Sequence, residues 1–140
     1  SSANIRITNM KSISEKVIYP ELSYRIIGIA FKVFNDIGFG MNEKYYQQAF
    51  AKALKEENVP FEKEKCIKLS HKGEIFGNYF LDFVIDDKIV VELKARPQLG
   101  YVHIKQVMGY LKTANFKLAI IIYFTRDGIK YRRIVNTLNS

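Results

Sequence analysis

Between Leu81 and Arg96 the chain reads LDFVIDDKIVVELKAR. Two apolar runs of strand character flank Asp86-Asp87-Lys88. Each run carries ionisable groups in its interior, Asp82 in the first and Glu92 and Lys94 in the second. Burying unpaired charges is costly, so these groups are expected to share one site. Residue counting says how. If Asp86, Asp87 and Lys88 form a three-residue loop, Ile85 faces Ile89 and Asp82 faces Glu92, with Cβ atoms about 4.5–5.5 Å apart. Lys94, two residues beyond Glu92, lies on the same strand face. A two-residue loop would place the carboxylates on opposite faces, so the reading depends on that turn.

Two carboxylates so close repel each other unless a cation lies between them. Oxygen ligands favour a hard ion such as Mg²⁺ or Mn²⁺, and a neighbouring lysine can polarise the attacked group. The set Asp82, Glu92 and Lys94 therefore suits metal-assisted phosphodiester hydrolysis. A cross-strand salt bridge from Lys94 to Asp82 or Glu92 accounts for the same residues, and both readings stay open at this point.

Around this stretch the periodicity predicts a mixed α/β or α+β domain. Leu22, Ile26, Ile29, Ala30, Val33, Phe34 and Ile37 recur at helical spacing over 21–37, and Gly38 and Gly40 end that helix. Asn42 is an N-cap candidate for a second helix running to about Asn58, before Pro60. Strands are expected at 63–70, 74–85 and 89–95, the first two split by a turn at His71-Lys72-Gly73. A third helix is expected at 101–114. The continuous apolar run Leu118 to Phe124 reads as a strand buried on both faces, and a last strand follows Asp127-Gly128 at 129–135. Residues 1–20 show no strong periodicity and are expected to form a loose arm, part of which could be foreign to the native chain. Residues 21–140 are expected to be one domain.

With 140 residues, 48% hydrophobic and 26% charged, the composition excludes disordered, collagen-like and low-complexity chains. The 9 Tyr and 10 Phe supply core bulk in the absence of Trp. The longest apolar run is too short to span a bilayer, and no secretory signal is visible, so no membrane partner is expected. The one cysteine, Cys66, excludes an internal disulfide and a cysteine-based zinc site, and points to a reducing cytoplasm. It reads as a structural thiol. Net charge is +8, and its distribution is uneven: from Arg96 onward eight basic residues face one acid, Asp127. A basic half joined to a near-neutral one points to a polyanion, most commonly nucleic acid. The basic candidates for tracking a phosphate backbone are Arg96, Lys105, Lys112, Lys130, Arg132 and Arg133.

Three further features bear on the site. Glu43 opens the second helix on the face of Tyr46 and Phe50, where a helix-dipole role is the plainer alternative. Gln106 and Tyr110 are spaced i, i+4, and His103 shares their face. His71 falls in a predicted turn. Two histidines give a zinc hydrolase little support, and neither a phosphate-binding glycine loop nor a serine nucleophile elbow is present.

Gly40-Met41-Asn42-Glu43-Lys44-Tyr45-Tyr46 fits G-x-x-E-x-x-Y, Asp82 with Glu92-Leu93-Lys94 fits D…E-x-K, and Gln106-Val107-Met108-Gly109-Tyr110 fits Q-x-x-x-Y. In this order the three motifs resemble the GxxExxY family of the PD-(D/E)xK nuclease superfamily, over about residues 21–135. Leu81 stands where that superfamily often has proline. The resemblance implies a restriction-endonuclease-like core, a central mixed β-sheet flanked by α-helices. It implies a Mg²⁺- or Mn²⁺-dependent nuclease, and the expected reaction is metal-activated water attack on nucleic acid, DNA in preference to RNA. Asp82, Glu92 and Glu43, with the Leu93 carbonyl, would then hold metal. Lys94 would stabilise charge on the phosphoryl group. Gln106 and Tyr110 would lie beside the site, and His103 would help bind nucleic acid. A homodimer or a larger nucleic-acid-processing complex is compatible with it. So is an inactive binding or interaction module on the same fold.

Overall fold

The computed structural model describes residues 5–8, 18–97 and 100–136. Its elements run β1 (Ile5–Thr8), α1 (Pro20–Ile37), α2 (Glu43–Glu56), β2 (Phe61–His71), β3 (Glu74–Ile85), β4 (Ile89–Lys94), α3 (Tyr101–Ala114), β5 (Leu118–Thr125) and β6 (Gly128–Asn136). All six strands form one sheet in the order β1-β6-β5-β4-β3-β2. β4 and β5 are parallel and joined through α3, and the other neighbours are antiparallel. The result is the expected mixed α/β architecture with helices on both faces.

The two faces bury different residues. α1 and α2 cover one through Ile26, Ile29, Phe50 and Leu54, which meet Phe83, Ile85, Val91, Leu93 and Ile120 of the sheet. α3 covers the other through Ile104, Val107 and Leu111, against Ile67, Leu81, Val84, Val90 and Ile121. β5 lies between two strands and beneath both layers, and every one of its residues is buried. A strand in that position has no polar face, hence its unbroken apolar run.

The predicted helices and strands are all present, with ends shifted by at most two residues. The N-terminal arm is the main departure. Ile5–Thr8 pairs antiparallel with β6, from Ile5 opposite Asn136 to Thr8 opposite Arg133. Four residues carry too short a pattern for periodicity to register, and an edge strand takes its hydrogen bonds from a partner distant in sequence. The β2–β3 turn is tighter than expected. His71 pairs with Glu74, leaving Lys72 and Gly73 with φ of 49° and 82°, as a type I′ hairpin requires. Cys66 is exposed on β2 and lies outside both cores.

Candidate active site

The hairpin between β3 and β4 has the three-residue loop. Ile85 pairs with Ile89, and Asp86 and Asp87 take φ of 52° and 53° while Lys88 N–H donates to Ile85 O at 3.0 Å. Backbone pairing then runs from Ile85 through Phe83 opposite Val91 and stops. At the next step the side chains take over. The Asp82 N–H donates to Glu92 Oε2 at 3.2 Å, and the Leu93 N–H donates to Asp82 Oδ2 at 3.0 Å. Each carboxylate thus occupies a backbone donor of the opposite strand, and the two strands part where the acids meet.

The opening has a second cause on the other side of β3. The β2–β3 register runs Lys63–Phe83 and Lys65–Leu81 but skips Glu64 and Asp82, and Glu64 has φ of 56°. Side-chain alternation changes phase there. Leu81 packs into the α3 core, and Phe83 packs into the opposite one. An L-residue in the left-handed region is uncommon, and such a local distortion re-aims the neighbouring side chains.

Glu92 is fully buried. Burial, reinforced by the charge of Asp82, pushes its carboxyl up to about 8. It receives a second hydrogen bond from Tyr79, whose hydroxyl donates to Oε1 at 3.0 Å. The Tyr79 ring is stacked on Tyr110, with centroids 3.8 Å apart and planes 21° from parallel. Burial and the nearby Glu92 raise both phenols above their ordinary value.

Glu43 arrives from the opposite layer. Asn42 caps α2, accepting from Lys44 N–H at 3.0 Å, which puts Glu43 in the first turn. Its Oε1 accepts from Ala95 N–H at 3.0 Å, just past the end of β4. Its Oε2 lies 4.0 Å from Lys94 Nζ, and the Lys94 side chain is 16% exposed. Gly40 and Tyr46 explain the rest of this motif. Gly40 sits at φ 96°, and the buried Tyr46 donates to Gly38 O at 2.6 Å and accepts from Met41 N–H at 3.4 Å. That tyrosine stacks on Phe124 at 4.1 Å and so ties the loop before α2 to the core.

Asp82, Glu92, Lys94 and Glu43 are therefore gathered around the end of β4, with Tyr110 reaching it through Tyr79. The salt bridge open to Lys94 forms with Glu43, not with either strand acid. His103 is half-buried, and burial, Lys94 and Arg96 hold its imidazole below the usual value. Its Nε2 is buried without a hydrogen-bond partner among the described residues. Gln106 is exposed on α3. Arg96, Lys105, Lys130 and Arg132 are exposed, and Lys112 is partly buried. Lys105 lies over the Tyr101 ring at 5.5 Å.

Arg133 departs from its expected role. It is 3% exposed, and its Nη2 donates to Ile18 O at 2.9 Å. On β6 it faces the opposite way from Arg132, so one arginine of the pair is turned inward. Strand alternation could have shown that they diverge, but not which side was covered. Tyr79 was missed for a different reason. It precedes Asp82 by three residues, which in a regular strand puts the two on opposite faces. The phase change at Asp82 and Glu64 is what brings it to Glu92.

The donors fit a hard divalent cation in part. Asp82 and Glu92 form a close all-oxygen pair whose mutual repulsion and burial a cation would relieve. Among the described residues, no group of three or more His, Cys, Asp and Glu could hold a metal ion. Glu43 engages the Ala95 N–H and the Lys94 ammonium in this arrangement. A two-carboxylate site suits Mg²⁺, which keeps much of its water and takes ligands from substrate phosphates.

A family model for the PD-(D/E)XK nuclease superfamily matches residues 20–134. A search of curated proteins finds no match. Among solved structures, the crystal structure of SSO0001 is similar at 24% identity and a TM-score of 0.51, over 69% of this chain and 51% of that one. The chain thus spans about half the length of that relative. The crystal structure of an alkaline exonuclease from Laribacter hongkongensis is similar at 11% identity and a TM-score of 0.50, over 87% of this chain and 72% of that one. At these identities the two structures share the fold with this protein. The family match takes in both helices before the hairpin, the acid-bearing strands and α3, and on it the chain belongs to the PD-(D/E)XK nuclease superfamily.

Proposed function

We propose that the protein is a divalent-metal-dependent nuclease of the GxxExxY group, with DNA as its substrate. The observation that carries this reading is the reciprocal pairing of Asp82 and Glu92 across the parted ends of β3 and β4. Such a pair is unfavourable for folding alone and useful beside a cation. Asp82 and Glu92 would hold Mg²⁺ or Mn²⁺, with the Leu93 carbonyl as a further oxygen donor. The bound ion supplies Lewis acidity and lowers the pKa of water at the scissile phosphate. Lys94, on the face of Glu92, meets the charge that develops on the phosphoryl oxygens. Glu43 holds the Lys94 ammonium in place and fixes the backbone at Ala95. Arg96, Lys105, Lys112, Lys130 and Arg132 would supply the positive field for the phosphate backbone, and His103, which feels the charges of Lys94 and Arg96, would help bind it.

The test is incubation with single- and double-stranded DNA and with RNA, in EDTA, Mg²⁺ or Mn²⁺. Metal-dependent cutting is expected. Lys94→Ala should lower it by about 10²–10³-fold, and Asp82→Ala should remove it. Salt-sensitive binding without cutting, retained in both variants, would replace this reading with a binding module.

A further inference from the structure

The hydrogen bonds around Glu92 involve a residue that none of the three motifs contains. Tyr79 donates to Glu92 Oε1 at 3.0 Å, while the Asp82 N–H holds Oε2 at 3.2 Å. The carboxylate is thus gripped at both oxygens and cannot rotate about its terminal bond without losing a donor. Each oxygen retains a lone pair for a cation. Tyr79 is itself fixed. It packs on the α3 side of the sheet, and its ring lies against Tyr110 at 3.8 Å, nearly parallel. Tyr110 is rooted in α3, one helical turn beyond Gln106.

We propose that Tyr79 is a positioning residue that sets the orientation of Glu92 for a divalent cation, and that Tyr110 acts through Tyr79 by clamping its ring. This rests on the metal-dependent reading of the site. The tyrosine of the Q-x-x-x-Y motif then serves Glu92 without touching substrate. Residues that orient a metal-ligating carboxylate typically account for 10–100-fold in metal affinity.

The experiment is calorimetric titration of the metal-free protein with Mn²⁺, in the absence of nucleic acid. Wild type is compared with Tyr79→Phe, Tyr110→Phe, Tyr110→Leu, the double variant Tyr79→Phe/Tyr110→Leu, and Asp82→Ala. Tyr79→Phe keeps the ring stack and removes one hydroxyl, so it is expected to fold and to bind Mn²⁺ about 10–100-fold more weakly. Tyr110→Phe keeps the stack and should stay within about twofold of wild type. Tyr110→Leu should approach Tyr79→Phe, and the double variant should be no weaker than Tyr79→Phe, because both changes act through one hydrogen bond. Wild-type affinity in Tyr79→Phe overturns the proposal while leaving the metal site standing. So does a double variant whose loss is the full product of the two single losses. No Mn²⁺ binding by wild type, matched by Asp82→Ala, overturns the metal-dependent reading and this inference with it.

Discussion

Glu92 shows at the scale of one residue how a buried pair of carboxylates strains the fold that carries it. Burial and the neighbouring Asp82 push its carboxyl from the ordinary 4.5 up to about 8. The folded state therefore holds a proton that the unfolded chain has already released between those values. Stability of the metal-free protein should fall as pH rises through that window and level off above about 8. Melting curves from pH 5 to 9 check this. Glu92→Gln should flatten the decline and, at pH 8–9, exceed wild type by an amount on the order of a few kcal/mol. An unchanged slope in Glu92→Gln would locate the pH dependence elsewhere. At pH 8–9, where Glu92 is ionised, Asp82→Asn should likewise stabilise the metal-free protein by removing the opposing charge. Mg²⁺ or Mn²⁺ should then raise the melting temperature of wild type and not of Asp82→Asn, through binding to the folded state alone.

At the scale of elements, the start of α2 decides where Glu43 lies. The segment from Gly38 to Asn42 has no regular structure of its own, and Tyr46 holds it from within the helix that follows. Tyr46→Phe keeps the stack on Phe124 but frees two backbone groups, and should cost about 1–2 kcal/mol in denaturant unfolding. Cutting should fall by more than that loss of stability alone explains, because Glu43 and with it Lys94 lose their reference to the core. Gly40→Ala places a Cβ at φ 96°, a strained conformation for an L-residue, and should cost about 1 kcal/mol or more. A variant at Gly28, which lies in α1 with open space at its Cβ position, serves as the control, since it should leave α2 undisturbed.

Across the whole molecule the net charge of +8 matters by where it is exposed. Lys130 and Arg132 stand outward on β6, while Arg133 lies beneath the surface against Ile18 O. Each outward charge that meets a phosphate should contribute about one unit to the slope of log affinity against log salt. Lys130→Ala and Arg132→Ala should therefore weaken DNA binding and flatten that slope. Arg133→Gln should leave the slope alone and lower thermal stability, because it withdraws a buried donor from a backbone carbonyl. A flattened slope in Arg133→Gln would show that its side chain reaches the nucleic acid after all. Among the described residues no helix is long and apolar enough to cross a membrane.

Much of this organisation was legible in the chain alone. Helix and strand periods, capping at Asn42 and the buried run of β5 are local, so residue spacing carries them. The three-residue loop was open to counting, and with it the meeting of Asp82 and Glu92. What spacing could not carry depends on contacts between distant segments. β1 exists through its pairing with β6, and the buried Arg133 donates to the carbonyl of Ile18, 115 residues away in sequence. Lys94 pairs with Glu43 because an α2 from the far layer reaches round the end of β4. Tyr79 meets Glu92 because β3 changes phase opposite Glu64, against the alternation that any reading of a strand assumes. Local pattern determined the elements and named the acids; tertiary packing decided which donors hold them, since a hydrogen bond across the fold leaves no period in the sequence.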